Sequence, residues 1–198
     1  MDCLKVGKLI HQLRKEKGMT QKQLADQMNI SDKTISKWER GSGCPDVSLL
    51  GELSAILGVD IDKLLDGELN PNEQDRGNMK SIKFYGCHTC GNVMTSTGQG
   101  SLSCCGRVLE PLKAQSAAGE HEMKVERIDH EFYVTLKHEM SKKHYLSFAA
   151  LVTYDRVHLI KLYPEQNAEF RLPLLNRGAL YVYCTQHGLF KLDRIPSY

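Results

Sequence analysis

Four cysteines in the middle of the chain have the residue type and spacing of a metal site. They lie in the stretch CHTCGNVMTSTGQGSLSCCG, and we name them the four-cysteine cluster: Cys87, Cys90, Cys104 and Cys105. Four thiolates brought together by a short glycine-rich segment favour a tetrahedral metal ion, zinc or iron. A bound metal could also stabilise a segment that is too small to bury a core of its own.

A cysteine and a histidine lie three residues apart near the end of the chain, at Cys184 and His187 in YCTQHG. Both side chains are common metal ligands. Two residues do not define a site, so the question is which other side chains the fold brings to them.

The number and spacing of the cysteines also indicate the cellular compartment of the protein. Seven cysteines are an odd number, and their grouping as CxxC and CC favours metal ligation over a disulfide framework in a reducing cytosol. Cys3 and Cys44 are therefore interpreted as free thiols.

The N-terminal residues alternate apolar side chains with lysines, and no segment has the roughly 20 apolar residues of a membrane span. We expect a cytoplasmic protein without a membrane partner.

The elements that must position these residues change character along the chain. With 198 residues, of which 41% are hydrophobic, the chain can form one large or two small domains. In the first part, apolar residues recur at helical spacing, and Thr20 with Gln23, Ser31 and Asp46 are helix-start signals. Basic residues lead from Lys5 to Arg40, which favours a positive face. These features predict a bundle of short helices over residues 1–68.

The stretch MTQKQLADQMNISDKTISKWERG resembles the helix-turn-helix of lambda-repressor-like, XRE-family regulators, and the resemblance covers about residues 4–68. It implies binding to a double-stranded DNA operator as a homodimer. The predicted recognition helix runs from Asp32 to Arg40, with Ile35 and Trp38 in the core. Polar side chains suited to base edges and phosphates are the candidate DNA contacts: Gln21, Lys33, Thr34, Ser36, Lys37 and Arg40.

Residues 69–82 are predicted to form an exposed linker, because they lack apolar periodicity and are rich in polar and turn residues. Beyond the linker, β-branched and aromatic runs such as FYVTL, HYLSFAALVTY and ALYVYC alternate with turn residues. This pattern predicts an all-β sandwich or barrel in the last part of the chain.

The stretch that carries the four-cysteine cluster resembles the rubredoxin-type iron centre of desulforedoxin, which forms the front of desulfoferrodoxins. The resemblance implies a small metal module over residues 83–113, and a structural zinc ion is the alternative. Adjacent cysteines are less usual than a second CxxC, because the backbone must strain to direct both sulfurs inward.

Residues 83–194 as a whole resemble desulfoferrodoxins and superoxide reductases, with matches in GEHEM, KHEMSKKHYL and YCTQHGLFK. The resemblance implies an immunoglobulin-like β-sandwich over residues 114–198 and a second iron centre with one open face. The family's four histidines and one cysteine correspond to the residues that we name the histidine–cysteine cluster: His121, His138, His144, Cys184 and His187. The remaining histidines, at positions 11, 88, 130 and 158, are interpreted as surface or packed side chains.

The chain departs from the family pattern near this cluster. Glu120 stands where the family has a lysine, Glu139 replaces a proline, and the stretch between His121 and His138 is shorter than the family's. Metal binding should survive these changes, whereas fast capture of superoxide should not, although Lys143 could attract the anion.

Three functions from different classes remain open. The first is a DNA-binding regulator whose iron domain senses superoxide, a related oxidant or iron itself. The second is a slow superoxide reductase tethered to DNA, which forms hydrogen peroxide and takes electrons from a rubredoxin-like donor. The third is an inert structural module that holds zinc.

Overall fold

The N-terminal part is all helical, as predicted. Its five helices are α1 Cys3–Glu16, α2 Gln21–Gln27, α3 Asp32–Glu39, α4 Val47–Leu57 and α5 Ile61–Asp66. One buried apolar cluster holds them together, and Ile35 and Trp38 both belong to it. In this computed structural model, which describes residues 1–74, 79–175 and 177–195, the chain divides into two compact units, Met1–Pro71 and Asn72–Tyr198. Residues 75–78 of the predicted linker and residues 196–198 lie outside the described residues.

The helix ends follow local signals in the sequence. Thr20 and Gln23 form a capping box at the start of α2, and the hydroxyl of Ser31 accepts the N–H of Thr34 at the start of α3. Asp46 caps α4 in the same way. Helix α4 ends at Gly58, whose φ of 68° lies in the left-handed region that glycine adopts without strain.

The interpretation of Cys3 and Cys44 as free thiols is wrong. The two residues form a disulfide across 41 positions of sequence, with their Cα atoms 5.0 Å apart. Cys3 is the first residue of α1, and Cys44 lies in the loop between α3 and α4. Counting cysteines could not reveal this pair, because only the packing of α1 against the end of α3 brings the two residues together.

The second unit is built from β-strands and two short 3-10 turns, Met79–Ser81 and Gly119–His121. Its strands are β1 Lys83–Gly86, β2 Val93–Ser96, β3 Leu102–Cys104, β4 Arg107–Leu109, β5 Ala114–Ser116, β6 Lys124–Ile128, β7 Glu131–Thr135, β8 Leu146–Val152, β9 Val157–Lys161, β10 Glu169–Pro173, β11 Ala179–Cys184 and β12 Gly188–Leu192.

These strands form two hairpins and two larger sheets. The hairpins are β1-β2 and β3-β4, and the larger sheets have the orders β10-β7-β6 and β5-β12-β11-β8-β9. All pairings are antiparallel except that of β5 with β12. One apolar cluster contains residues of both larger sheets, including Val134 of β7 and Val182 of β11, as expected for two sheets that share a core. The predicted fold class is thereby confirmed.

Strand β8 is buried along its whole length. Its residues Leu146, Ala149 and Leu151 belong to the core between the two sheets. Phe148, Ala150 and Val152 belong to a second cluster, which also contains Phe84 of β1. The segment that carries the four-cysteine cluster therefore covers the outer face of the five-stranded sheet, which explains why β8 lacks polar alternation.

Among the described residues, no helix has the length and apolar character needed to cross a membrane.

Candidate metal centres and recognition helix

The histidine–cysteine cluster forms at one end of the sandwich, where several loops meet. His121 ends the short 3-10 turn before β6, and His138 and His144 lie in the connection between β7 and β8. Cys184 is the last residue of β11, and His187 lies in the tight turn before β12. The shortened stretch between His121 and His138 is filled by the β6-β7 hairpin. The structure thus brings together all five residues that the family resemblance implies.

The four imidazole rings are arranged in a closed ring. Successive ring centroids are 4.9 Å apart for His121 and His138, 4.6 Å for His138 and His144, 4.8 Å for His144 and His187, and 5.1 Å for His187 and His121. The ligand atoms of the four histidines and of Cys184 all lie within 4.8 Å of one another. Side chains this close can share one metal ion.

Several buried nitrogen atoms of this ring have no hydrogen-bond partner in the described part of the chain. The Nε2 atoms of His121, His138 and His144 are buried, and no hydrogen-bond partner for them is found among the described residues. Unpaired buried polar atoms are costly, so such atoms call for an explanation. Burial lowers the pKa of His121 and of His138, which favours the neutral imidazole that metals bind. The cluster therefore fits a metal ion with nitrogen and sulfur ligands.

Cys184 is fully buried, and its sulfur lies within 4.8 Å of the ligand atoms of the four histidines. The backbone N–H of His187 donates to its Sγ at 3.4 Å, and Nδ1 of His187 lies 3.5 Å from the same sulfur. Burial raises the pKa of the Cys184 thiol. A cation at the centre of the cluster would favour the thiolate form, so protons should be released when metal binds.

Two neighbours orient the histidine rings. Oε2 of Glu139 lies 3.0 Å from Nδ1 of His144, an arrangement that directs the opposite ring nitrogen toward the cluster. The ring of His121 stacks on Phe190, with centroids 3.8 Å apart. Sequence reasoning noted Glu139 only as a departure from the family and missed Phe190, because nothing local to either residue shows which histidine it contacts.

The charged residues around the cluster lie on its exposed side. Oε1 of Glu120 is 3.5 Å from Nδ1 of His187, and both side chains are exposed. Lys143 is exposed next to His144, and its backbone carbonyl accepts from Gln186. Glu120 therefore places a carboxylate beside His187, the exposed member of the cluster.

The residues of the four-cysteine cluster also converge, with their sulfur atoms within 4.8 Å of one another. The Sγ atoms of Cys90 and Cys104 are 3.5 Å apart. Hydrogen bonds from the backbone N–H groups of Cys90 and Thr89 lower the pKa of the Cys87 thiol to about 6. Neighbouring thiols raise the pKa of Cys105 to about 12. A set of four sulfur ligands fits zinc or iron equally well.

The backbone explains how adjacent cysteines can serve one site. Cys105 has a φ of 51°, in the left-handed region, and Gly106 follows with a φ of 73°. This tight turn lets Cys104 and Cys105 direct both sulfurs toward Cys90. Nζ of Lys161, on β9, donates to the carbonyl of Gly91 at 2.9 Å and so ties the CxxC turn to the sandwich. No sequence signal marked Lys161.

In the first unit, α3 presents the predicted recognition surface. Lys33, Lys37 and Arg40 are exposed, while Thr34 and Ser36 are partly exposed. Thr34 also shares a hydrogen bond of 2.9 Å with the cap residue Ser31. Basic and hydroxyl side chains on one helix suit phosphates and base edges.

A buried ion pair fixes α3 to the helices before it. Nε and Nη2 of Arg14 lie 2.5 and 2.9 Å from the two carboxylate oxygens of Glu39, and both side chains are 4% exposed. Nε2 of Gln21 donates to Glu39 at 2.8 Å, so this candidate phosphate contact also has an internal partner. Burial alone would raise the pKa of Glu39, but hydrogen bonds from Arg14, Gln21 and His11 outweigh it and hold the pKa at about 2.

Comparisons with known proteins find separate relatives for the N-terminal part and for the C-terminal part of the chain. The helix-turn-helix family HTH_3 matches residues 10–64. The HTH-type transcriptional activator BcrR of Enterococcus faecalis is 42% identical over 79 residues, which are 38% of this chain and 39% of BcrR. The chain thus spans about two fifths of that relative. The desulfoferrodoxin of Syntrophotalea carbinolica is 28% identical over 124 residues, which are 58% of this chain and 98% of that protein. Among solved structures, the superoxide reductase from Treponema pallidum is 21% identical with a TM-score of 0.49, and the match covers 56% of this chain and 97% of that one.

Proposed function

Because this chain joins an HTH_3 helix-turn-helix domain to a C-terminal region homologous to desulfoferrodoxin, we propose that it is a DNA-binding transcriptional regulator that senses superoxide or a related oxidant through iron. The observation that carries the proposal is the closed ring of four histidines next to the buried thiol of Cys184. The same chain has a helix, α3, with exposed basic side chains.

The DNA-binding part rests on α3. Lys33, Lys37 and Arg40 supply cations for phosphates and base edges, and the ion pair of Arg14 with Glu39 holds the helix against α1. One recognition helix covers few base pairs, so we propose a homodimer that binds two half-sites about one helical turn apart.

The sensing part rests on the histidine–cysteine cluster. His121, His138, His144 and His187 would hold iron through nitrogen, and Cys184 would hold it through sulfur. When bound there, iron supplies a one-electron redox couple. The Glu139 carboxylate orients His144, and Phe190 holds the ring of His121, so the ligand set is fixed before metal binds.

The charge beside the cluster favours sensing over rapid turnover. Glu120 is an exposed carboxylate next to His187, and a negative charge slows the approach of the superoxide anion. Slow capture suits a sensor, whose site need only change state, and suits a detoxifying enzyme poorly. The four-cysteine cluster would hold a second iron or a structural zinc ion.

The test combines metal analysis with DNA binding. We expect iron in the purified protein, a coloured iron-thiolate spectrum, and a different affinity for a selected operator before and after exposure to superoxide. Cys184→Ser should keep DNA binding and lose the response. A colourless protein that contains only zinc would contradict iron sensing. Fast superoxide turnover with unchanged operator affinity would instead identify a reductase.

A further inference from the structure

We propose that Cys3 and Cys44 form a reversible thiol–disulfide couple that regulates the DNA-binding unit, with hydrogen peroxide as the oxidant and a dithiol as the reductant. The regulatory part of this inference rests on the proposed DNA-binding function of α3. Both groups of candidate metal ligands found among the described residues lie in the second unit, so this pair belongs to neither metal cluster.

The disulfide joins two segments that touch the recognition helix. Cys3 begins α1, and Cys44 lies in the short loop between α3 and α4. Both residues are half-buried, so small oxidants and reductants can reach them. In a reducing cytosol, a disulfide that forms is usually transient and has a redox role.

The loop that the disulfide tethers lies against a predicted DNA contact. A Cβ atom built on Gly43 would lie 3.2 Å from Cε of Lys37, so the aliphatic part of Lys37 passes directly over this loop. A Cβ atom on Gly41 would lie 2.9 Å from Cα of Leu4, the residue after Cys3. The loop is therefore enclosed between the start of α1 and the side chain of Lys37.

Apart from the disulfide, few strong interactions hold the start of α1 and the loop between α3 and α4. The side chains of Met1 and Leu4 are exposed, and in the first turn of α1 only Val6 contributes a fully buried apolar side chain to the core. The ion pair of Lys5 with Glu68 is exposed at both ends, and exposed pairs add little stability. The loop contains two glycines, which gain the most backbone freedom when a constraint is lost. Reduction of the disulfide should therefore loosen the loop and the position of Lys37.

Oxidation of Cys3 and Cys44 by hydrogen peroxide requires no metal ion. One thiolate attacks hydrogen peroxide, the O–O bond breaks, and a sulfenic acid and water form after proton uptake. The second thiol attacks the sulfenic sulfur, the S–S bond forms, and a second water molecule leaves. Two thiols are thus oxidised and one peroxide is reduced to two waters. A dithiol reverses the bond by exchange and becomes a disulfide itself.

Two measurements on the intact 198-residue chain test whether the disulfide forms and breaks reversibly. Trp38 is the only tryptophan of the chain and lies in α3, so its fluorescence reports unfolding of the first unit alone. Thiols are mapped by mass spectrometry after one equivalent of hydrogen peroxide and again after a dithiol. We expect a Cys3–Cys44 bond that forms and breaks, and a Trp38 unfolding midpoint about 8 °C or more higher in the oxidised form.

Operator affinity supplies the functional readout. The oxidised form should bind a selected operator about threefold or more tightly, because a larger fraction of molecules has the loop and Lys37 in place. In the Cys3→Ser, Cys44→Ser double variant, the midpoint and the affinity should no longer depend on peroxide. Ser42→Ala changes an exposed residue of the same loop that is neither a thiol nor a candidate metal ligand, and this control variant should keep both responses.

The outcomes separate this inference from the proposed function. Equal midpoints for oxidised and reduced protein, or a bond that peroxide does not form, would overturn the couple. A shifted midpoint with equal operator affinity would support the couple and overturn its regulatory role. No operator binding in either state, with a shifted midpoint, would overturn the proposed DNA-binding function and leave the redox couple supported.

Discussion

The carboxylate of Glu120 lies 3.5 Å from Nδ1 of His187, on the exposed side of the histidine ring. It places a negative charge where desulfoferrodoxins, by the resemblance, have a positive one. The proposed choice between sensing and turnover therefore depends on this residue.

We predict that Glu120→Lys speeds the oxidation of iron by superoxide by about tenfold at low salt, because attraction of the anion replaces repulsion. Pulse radiolysis of both proteins measures the rate. Glu122→Lys adds the same charge on an exposed neighbour and should have a smaller effect. A wild-type rate near the diffusion limit, or a Glu120 variant no faster than wild type, would favour the enzyme over the sensor.

Cys184→Ser should abolish the absorption of iron in the histidine–cysteine cluster and leave that of the four-cysteine cluster intact. The reason is that the two clusters share no ligand. Cys90→Ser should have the reverse effect. Optical spectra with metal analysis of both variants test the prediction, and loss of both spectra in one folded variant would mean that the sites are not independent.

Glu139→Ala should weaken metal binding at the histidine–cysteine cluster by about 10- to 100-fold, because its carboxylate orients His144. Competition with a chelator, followed by the spectrum of bound cobalt(II), measures the affinity. Glu165→Ala removes another exposed carboxylate, which pairs with Lys142, and is the matched control. Equal affinities in wild type and Glu139→Ala would show that this contact does not orient the ring.

Lys37→Ala should weaken operator binding by about 1 to 3 kcal/mol if the side chain reaches a base edge. Fluorescence anisotropy at fixed salt measures the loss, and a salt series reports how many phosphate contacts remain. Lys15→Ala, an exposed lysine in the last turn of α1, is the control. An unchanged affinity would remove Lys37 from the interface.

Acid should destabilise the first unit through Glu39. Its folded pKa of about 2 lies below the ordinary value of 4.5, so the ionised carboxylate stabilises the fold above pH 4.5. This contribution, about 3 kcal/mol, is lost as the pH falls from about 4.5 toward 2. Trp38 fluorescence during urea unfolding at several pH values measures it. The Glu39→Gln variant should have a lower free energy of unfolding at neutral pH, and this free energy should change less between about pH 4.5 and 2. An equally small change in the wild type would contradict the stabilising role of ionised Glu39.

The features that could be predicted from the sequence depend on residues that are close together in the chain. Thr20, Ser31 and Asp46 mark helix starts through hydrogen bonds that span two or three residues, so the helices follow directly from the order of residues. The alternation of β strands and turn residues likewise predicted the fold class, which is confirmed.

The remaining features depend on packing between distant segments. The Cys3–Cys44 disulfide was missed because it requires α1 to lie beside the end of α3. The pairing of Arg14 with Glu39 spans 25 residues and leaves no pattern in either helix. The contact of Glu139 with His144 is close in sequence, yet an exposed glutamate is so common that its type alone marks no role.

Strand β5 has a consequence for how this architecture can be rearranged in evolution. The chain leaves the segment of the four-cysteine cluster and enters the five-stranded sheet at once, with β5 as a parallel neighbour of β12. Recombination at this junction would remove a strand from one sheet edge and strip Phe84 from the outer face of β8. The four-cysteine segment and the sandwich should therefore be inherited together.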